Sequence, residues 1–462
     1  MAFLKTSEAP ATVVEEIPAI LLPDATGLRF DHNKYDMTKA KWDALPADVQ
    51  DEYIEEIFTF YRKVWGFPYA LKTGDTFAWK FGIYPDVDVW VNGIIEFLYA
   101  KDFKRASSQA GRLRKWDSSR LLIEDNLEVD YHGGGFFEEE VPEVDDDVQD
   151  TSRHLKQNLM GMGAANSFMP HLHHTPVKGL KSPFDGFWDD KLFRKAIRLA
   201  CRWDSGAWPH SIRYGLRSIG GIQSVGNFKP TVVKFLHERF TPKEGGIVFD
   251  FSCGWGGRLT GARSSRKDLL YVGVDPSTKT FECLQNLDAF LCKLYGYEVG
   301  EVTNVKVNGR MVPQYRGRYV RITLCGSEEF RPTDLLGKVD FAFSSPPYFD
   351  LEDYAAGDEG YENQSHVKFP GRDGWLNGFL KQTADNVAAL LKPGGYCGLN
   401  LADFRDTNIT ADACAVFETA GLTYKPDENF EMRISVRTGN RSKAKTEKKK
   451  HKTETIFIFK KE

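Results

Sequence analysis

Apolar and polar positions along the 462-residue chain change rhythm near residue 218. Upstream the text is helical and aromatic. Ile54, Ile57, Phe58, Tyr61 and Val64-Trp65 repeat at helix spacing, Val87 to Leu98 forms a second apolar stretch, and Phe187 to Trp208 carries another aromatic helix pattern. Downstream, short apolar runs alternate with helix-period segments. Gly246 to Phe251, Leu269 to Val274, Tyr319 to Cys325 and Val339 to Phe343 read as buried strands, with helices at Thr231 to Phe240 and Ser277 to Lys293. Such alternation predicts an α/β fold: a Rossmann-like doubly wound sheet in the C-terminal half, preceded by a mainly helical N-terminal region.

Charge and punctuation divide the chain further. Residues 1–30 are rich in Pro and Ala and read as a loosely packed arm within a helical region, 1–132. Gly133-Gly134-Gly135 then opens a segment, 133–150, with eight acids between Glu138 and Asp150 and no base among them, which reads as an acidic linker or loop. A helical connecting region, 151–217, leads to the α/β domain at 218–462. The length suits two or three domains. With 41% hydrophobic and 27% charged residues the chain can build a sizeable core. Its formal net charge of −4 leaves nucleic-acid affinity to local patches. Two basic segments offer such patches: Lys101, Lys104, Arg105, Arg112, Arg114, Lys115 and Arg120, and the run Arg437 to Lys452. Either can equally be a solvated face. The seven cysteines show no paired metal spacing, and no apolar run approaches membrane-spanning length, so a cytoplasmic protein with reduced thiols is expected. His171, His173 and His174 cluster without a cysteine, and no metal site is expected there.

The chemistry concentrates in two turns. The strand ending at Phe343 runs into Ser344-Ser345-Pro346-Pro347-Tyr348. Paired prolines cannot continue a ladder, so the chain leaves the sheet in a rigid turn whose carbonyls point in set directions. Tyr348 adds a flat face for a planar ring. Rigid acceptors, one hydroxyl and an aromatic floor suit the grip of an exocyclic amine. The other turn, Ser252-Cys253-Gly254-Trp255-Gly256-Gly257, follows the strand ending at Asp250-Phe251 and lets backbone approach a ligand closely. Its spacing is neither Gly-x-Gly-x-x-Gly nor a phosphate loop. Asp275, ending the next strand, stands where open α/β sheets grip a cofactor ribose, or where an ordinary helix cap would stand.

Asp250 to Leu259, Tyr271 to Asp275 and Ser345-Pro346-Pro347-Tyr348 together resemble the class I S-adenosylmethionine-dependent methyltransferases, and more narrowly the DNA amino-methyltransferases that act on cytosine N4 or adenine N6. The resemblance spans about Ser218 to the C-terminus. Within it, Leu391 to Asn400 is similar to the usual helix, turn and fifth strand, and Glu454 to Lys460 to the last strand. It implies S-adenosyl-L-methionine held by Asn227, Phe228, Lys229, Asp250, Phe251, Ser252, Gly254 and Gly256, with the ribose on Asp275 and the adenine near Ser327 or Glu328. Ser345, Pro346, Pro347 and Tyr348 would hold and stack on a base flipped from double-stranded DNA. Tyr354 and Tyr361 would lie on a flanking loop, Asp350 to Gln364. No cysteine follows the prolines, which excludes the covalent C5-cytosine route. Relatives acting on RNA or on guanine amines, and a non-catalytic protein keeping the fold, are the alternatives. Neither recognition sequence nor oligomeric state is legible.

Overall fold

The computed structural model describes residues 38–62, 67, 104–118, 153–155, 158–177, 179–202, 209–349, 351, 354, 360–403, 408–433 and 453–462. The apolar stretch Val87 to Leu98, the acidic segment 133–150 and the basic run Arg437 to Lys452 lie outside them.

The chain forms two compact units, one of residues 1–104 and 170–226, the other of 105–169 and 227–462. In the first, the helix Ala47–Phe60 buries Ile54, Ile57 and Phe60. Tyr61 meets Phe193 edge-on, on the helix Asp190–Cys201. Over its described residues, Ile54 to Tyr61, the aromatic repeat is therefore core packing.

The second unit is built on an eleven-stranded sheet. In chain order the strands are β1 (Arg153–Leu155), β2 (Gly245–Asp250), β3 (Asp268–Asp275), β4 (Glu301–Val307), β5 (Arg310–Gly317), β6 (Val320–Leu324), β7 (Val339–Ser344), β8 (Leu391–Leu401), β9 (Thr423–Tyr424), β10 (Phe430–Arg433) and β11 (Thr453–Lys460). The spatial order is β1-β10-β11-β8-β7-β2-β3-β6-β5-β4, with β9 beside β11. β6, β3, β2, β7 and β8 run parallel, and β11 returns antiparallel to β8. From β2 the chain winds one way to β3 and β6, then crosses back to β7 and β8. The carboxyl ends of β2 and β7 thus flank the topological switch point, where open α/β sheets take their ligands.

The strands expected at Gly246, Leu269, Tyr319, Val339 and Glu454 and the helices at Thr231 and Ser277 are present within two residues of their expected ends. Leu391 to Asn400, expected as helix, turn and strand, is instead strand throughout, β8. Two features extend the sheet beyond expectation. β4 and β5 form a hairpin over Asn308-Gly309, both in the left-handed region (φ 46° and 84°), as a tight two-residue turn requires. β1 and β10 add the opposite edge. Phe249, Phe251, Val272 and Val274 pack with Trp375, Leu390 and Phe417 in one core layer. Phe240 of the helix Pro230–Phe240 stacks on Phe341 at 4.8 Å on β7.

The basic helix Lys104–Lys115 belongs to this unit for nearly its whole length. Arg114 turns inward, bonding Tyr297 Oη at 2.7 Å and covering the Tyr295 ring at 4.3 Å. Arg112 and Lys115 stay exposed.

Candidate active site at the switch point

Asp250 ends β2 with 1% of its surface exposed. Its Oδ2 accepts from Arg258 Nε at 2.8 Å and Tyr271 Oη at 2.7 Å, its Oδ1 from Ser344 Oγ at 2.8 Å and the Ser252 amide at 3.2 Å. A buried carboxylate needs such compensation. Arg258 also donates to the Ser252 carbonyl. Asp250 therefore spends its acceptors on the protein and fixes the shape of the glycine turn. Ser252 turns its hydroxyl to the Phe251 carbonyl, and Phe251 itself lies in the core.

Gly254 and Gly256 adopt left-handed backbone (φ 54° and 74°). Asn227 braces the turn: Oδ1 accepts from the Gly257 amide at 3.1 Å, while Nδ2 donates to the Trp255 carbonyl at 2.7 Å and Asn166 Oδ1 at 2.8 Å. A Cβ on Gly257 would fall 2.1 Å from the Phe228 carbonyl oxygen. Phe228 stands edge-on to Phe343 at 5.2 Å.

Asp275 ends β3, and its carboxylate accepts from the Gly254 amide at 2.9 Å and the Ser277 amide at 3.0 Å. Burial raises its pKa to about 6, against the pull of those two amides. Among the described residues no lysine or arginine forms an ion pair with it. Ser327 and Glu328 follow β6 and are held from the helix Lys381–Leu390: Ser327 Oγ lies 2.8 Å from Thr383 Oγ1, and Asn386 Nδ2 donates to both backbone carbonyls. Lys368 binds the Glu328 carboxylate at 2.7 Å.

Ser345-Pro346-Pro347-Tyr348 leaves β7 directly beside this turn. Phe349 closes it at φ 51°, a strained value for a phenylalanine, with its amide on the Pro347 carbonyl at 2.9 Å. Asn400 of β8 donates to Ser345 Oγ at 3.1 Å, Tyr348 Oη at 3.2 Å and Glu454 Oε1 at 2.8 Å, and Tyr348 Oη in turn donates to Glu454 on β11. Lys229 lies within electrostatic range of Glu454, and burial holds its ammonium pKa down to about 8. Tyr354 leans on Trp255 at 5.8 Å.

No family model and no curated protein matches this chain. Solved structures do. The chain is similar to a TehB-like SAM-dependent methyltransferase from Corynebacterium glutamicum (13% identity, 51% of this chain and 90% of that one, TM-score 0.29). It is similar to a geranyl diphosphate methyltransferase bound to GPP and sinefungin (11%, 50% and 77%, 0.31) and to the aminoglycoside resistance methyltransferase NpmB1 (13%, 52% and 96%, 0.27). Likeness this distant places no activity on the chain.

The structure thus gathers Asp250, Ser252, Gly254, Gly256, Asn227 and Phe228 around one turn, and Ser345 to Tyr348 beside it. Asp275 joins the first group through Gly254. Ser344, Arg258, Tyr271, Asn400 and Glu454 complete the arrangement and were not expected from sequence. Asn400 had one visible signal, an amide within the apolar strand end Leu399-Asn400-Leu401. The thiol nearest the site, Cys253, is buried, which raises its pKa and leaves it a poor nucleophile. Among the described residues no three His, Cys, Asp or Glu side chains form a metal site, and no helix is long and apolar enough to cross a membrane. His174 stacks on Phe184 at 4.0 Å in the first unit.

Proposed function

We propose that this chain is an S-adenosylmethionine-dependent methyltransferase acting on the exocyclic amine of a nucleic-acid base, with double-stranded DNA as the polymer and cytosine N4 or adenine N6 as the acceptor. One observation carries the reading. A rigid, acceptor-rich Ser-Pro-Pro-Tyr turn stands at the carboxyl end of β7, bonded through Ser344 to the glycine turn across the switch point.

Asp275 has the chemistry for a ribose diol: its partners are two backbone amides, so lone pairs remain for hydroxyl donors. Ser327 and Glu328 give a braced rim for the adenine. The cofactor, when bound, supplies an electrophilic methyl group on a sulfonium. Ser345 Oγ and the Pro346 carbonyl accept from the target amine and so aim its lone pair. Methylated in this way, with the cofactor's thioether as leaving group, the amine nitrogen would carry a positive charge and would lose one proton to water. Positioning and stabilisation of developing positive charge do the catalysis. Tyr348, its hydroxyl held by Glu454, offers a fixed ring for a base flipped from the duplex.

The test is incubation of the purified protein with methyl-labelled cofactor and, in parallel, double-stranded DNA and total RNA, with nucleosides resolved by mass. Label in N4-methylcytosine or N6-methyladenine from DNA is expected. Label in RNA alone would move the substrate to the other polymer, and no label in either would sink the reading.

A further inference from the structure

We infer that Asn400 is a substrate contact: its amide oxygen, held in place by Glu454, accepts the second N–H of a primary amine, so that the site methylates such an amine once. The inference rests on the amine-methylating reading above and extends it to product specificity.

Asn400 is 2% exposed at the end of β8, and its Oδ1 is buried with no hydrogen-bond partner among the described residues. The nitrogen of the same amide faces three acceptors: Ser345 Oγ, Tyr348 Oη and Glu454 Oε1. Which way round the amide sits is decided by chemistry. An ionised carboxylate only accepts, so turning the amide over would set oxygen against oxygen at Glu454. The Tyr348 hydroxyl proton is already committed to that same carboxylate. Among the described residues nothing donates to Oδ1. An orphaned buried acceptor costs about 1–3 kcal/mol, and native proteins satisfy nearly all such groups. A ligand bearing a donor completes this one.

The neighbouring acceptor turn says which donor. A primary amine has two N–H bonds and one lone pair. With the lone pair aimed at the methyl group, Ser345 Oγ and the Pro346 carbonyl share one N–H, and the other meets Asn400 Oδ1. A secondary, already methylated amine lacks one N–H and would either leave Oδ1 orphaned or press a methyl group on it. The charge arrangement agrees: Glu454 adds a carboxylate near the nitrogen that becomes cationic, and Lys229 lies within electrostatic range of that carboxylate. Glu454 acts through Asn400 and is a positioning residue.

Full-length parent, Asn400→Ala and Glu454→Gln are compared for kcat and KM on unmethylated plasmid DNA, for S-adenosylhomocysteine binding by calorimetry, and for the mass of the modified nucleoside. Glu454→Gln preserves shape but lets the amide turn over, so it tests the orientation without removing the side chain. The parent is expected to yield only the monomethylated base. Both variants should lose roughly 100- to 1,000-fold in kcat, the range for removing one preorganised polar contact, with S-adenosylhomocysteine affinity within about 2-fold. An active parent with both variants at parental kcat would overturn this inference and leave the methyltransferase reading standing. So would dimethylated product from the parent. A parent that binds S-adenosylhomocysteine but labels no amine would overturn both.

Discussion

Ser344 Oγ donates to Asp250 Oδ1 across 2.8 Å and joins the ends of β7 and β2. Ser344 also lies 3.3 Å from the Ser252 carbonyl, so one buried hydroxyl couples the acceptor turn to the glycine turn. In Ser344→Ala the Asp250 carboxylate loses a donor in a dry site. We expect a loss of about 1–3 kcal/mol in denaturant unfolding, and weaker cofactor binding by calorimetry because the glycine turn loosens. Unchanged unfolding midpoint and affinity would show that the bond couples nothing.

If Asp275 grips the cofactor as proposed, binding there is sensitive to acid. Its pKa of about 6 in the folded chain exceeds the ordinary carboxylate value of about 3.9. Between those values the native state holds a proton that the unfolded chain has released, so the contribution of this group to stability falls as pH rises from about 4 to about 6. Above 6 the carboxylate is free to accept hydroxyl donors. S-adenosylhomocysteine affinity is therefore expected to weaken as pH drops through 6, and Asp275→Asn should bind weakly with no such dependence. Parallel pH profiles for parent and variant would exclude Asp275 as a ligand contact.

Much of this architecture is legible in the sequence, and its limits have physical causes. Strands buried on both faces, such as Val339 to Ser344, are mostly apolar runs, here broken only by Asp340 before the terminal Ser344, and announce themselves. The β4–β5 hairpin carries the strong Asn308-Gly309 turn signal, yet its strands are largely exposed and polar and lack an apolar run to mark them. Site residues adjacent in sequence to a turn, such as Ser345 and Gly256, can be named from their motif. Asn400 and Glu454 cannot: they lie 54 residues apart and meet because β8 and β11 pair antiparallel in one particular register, Asn400 opposite Ile456. The inward turn of Arg114 likewise depends on Tyr295 and Tyr297, nearly two hundred residues away in the chain.

Arg263, the last residue of the helix Gly257–Arg263, forms a buried ion pair at 2.7 Å with Asp288 on the helix Thr278–Tyr295. Tyr315 Oη adds a second donor to Asp288 at 3.0 Å. Removing one partner strands the other charge, so Asp288→Ala should cost about 3–5 kcal/mol. Replacing both with apolar residues of similar volume should cost much less. Chemical denaturation of both variants decides: an equal loss would mean the pair stabilises through its own attraction and not through mutual compensation.

Lys234 is fully buried on the helix Pro230–Phe240, and its ammonium donates to the carbonyls of Leu113, Arg114 and Trp116 at 2.8, 3.0 and 2.8 Å. It caps the carboxyl end of the basic helix Lys104–Lys115, where a cation also meets the favourable end of the helix dipole. Burial nonetheless lowers its pKa to about 8, below the ordinary value of about 10.4. Between those values the unfolded chain binds the proton and the native chain does not, so this lysine makes stability rise with pH from about 8 to about 10. Lys234→Met keeps the bulk, loses three hydrogen bonds, and should cost about 2–4 kcal/mol at pH 7 while flattening that rise. Urea unfolding across pH 7 to 10 separates the two effects. If Lys234→Met unfolds like the parent at pH 7, the capping bonds are not what holds the helix.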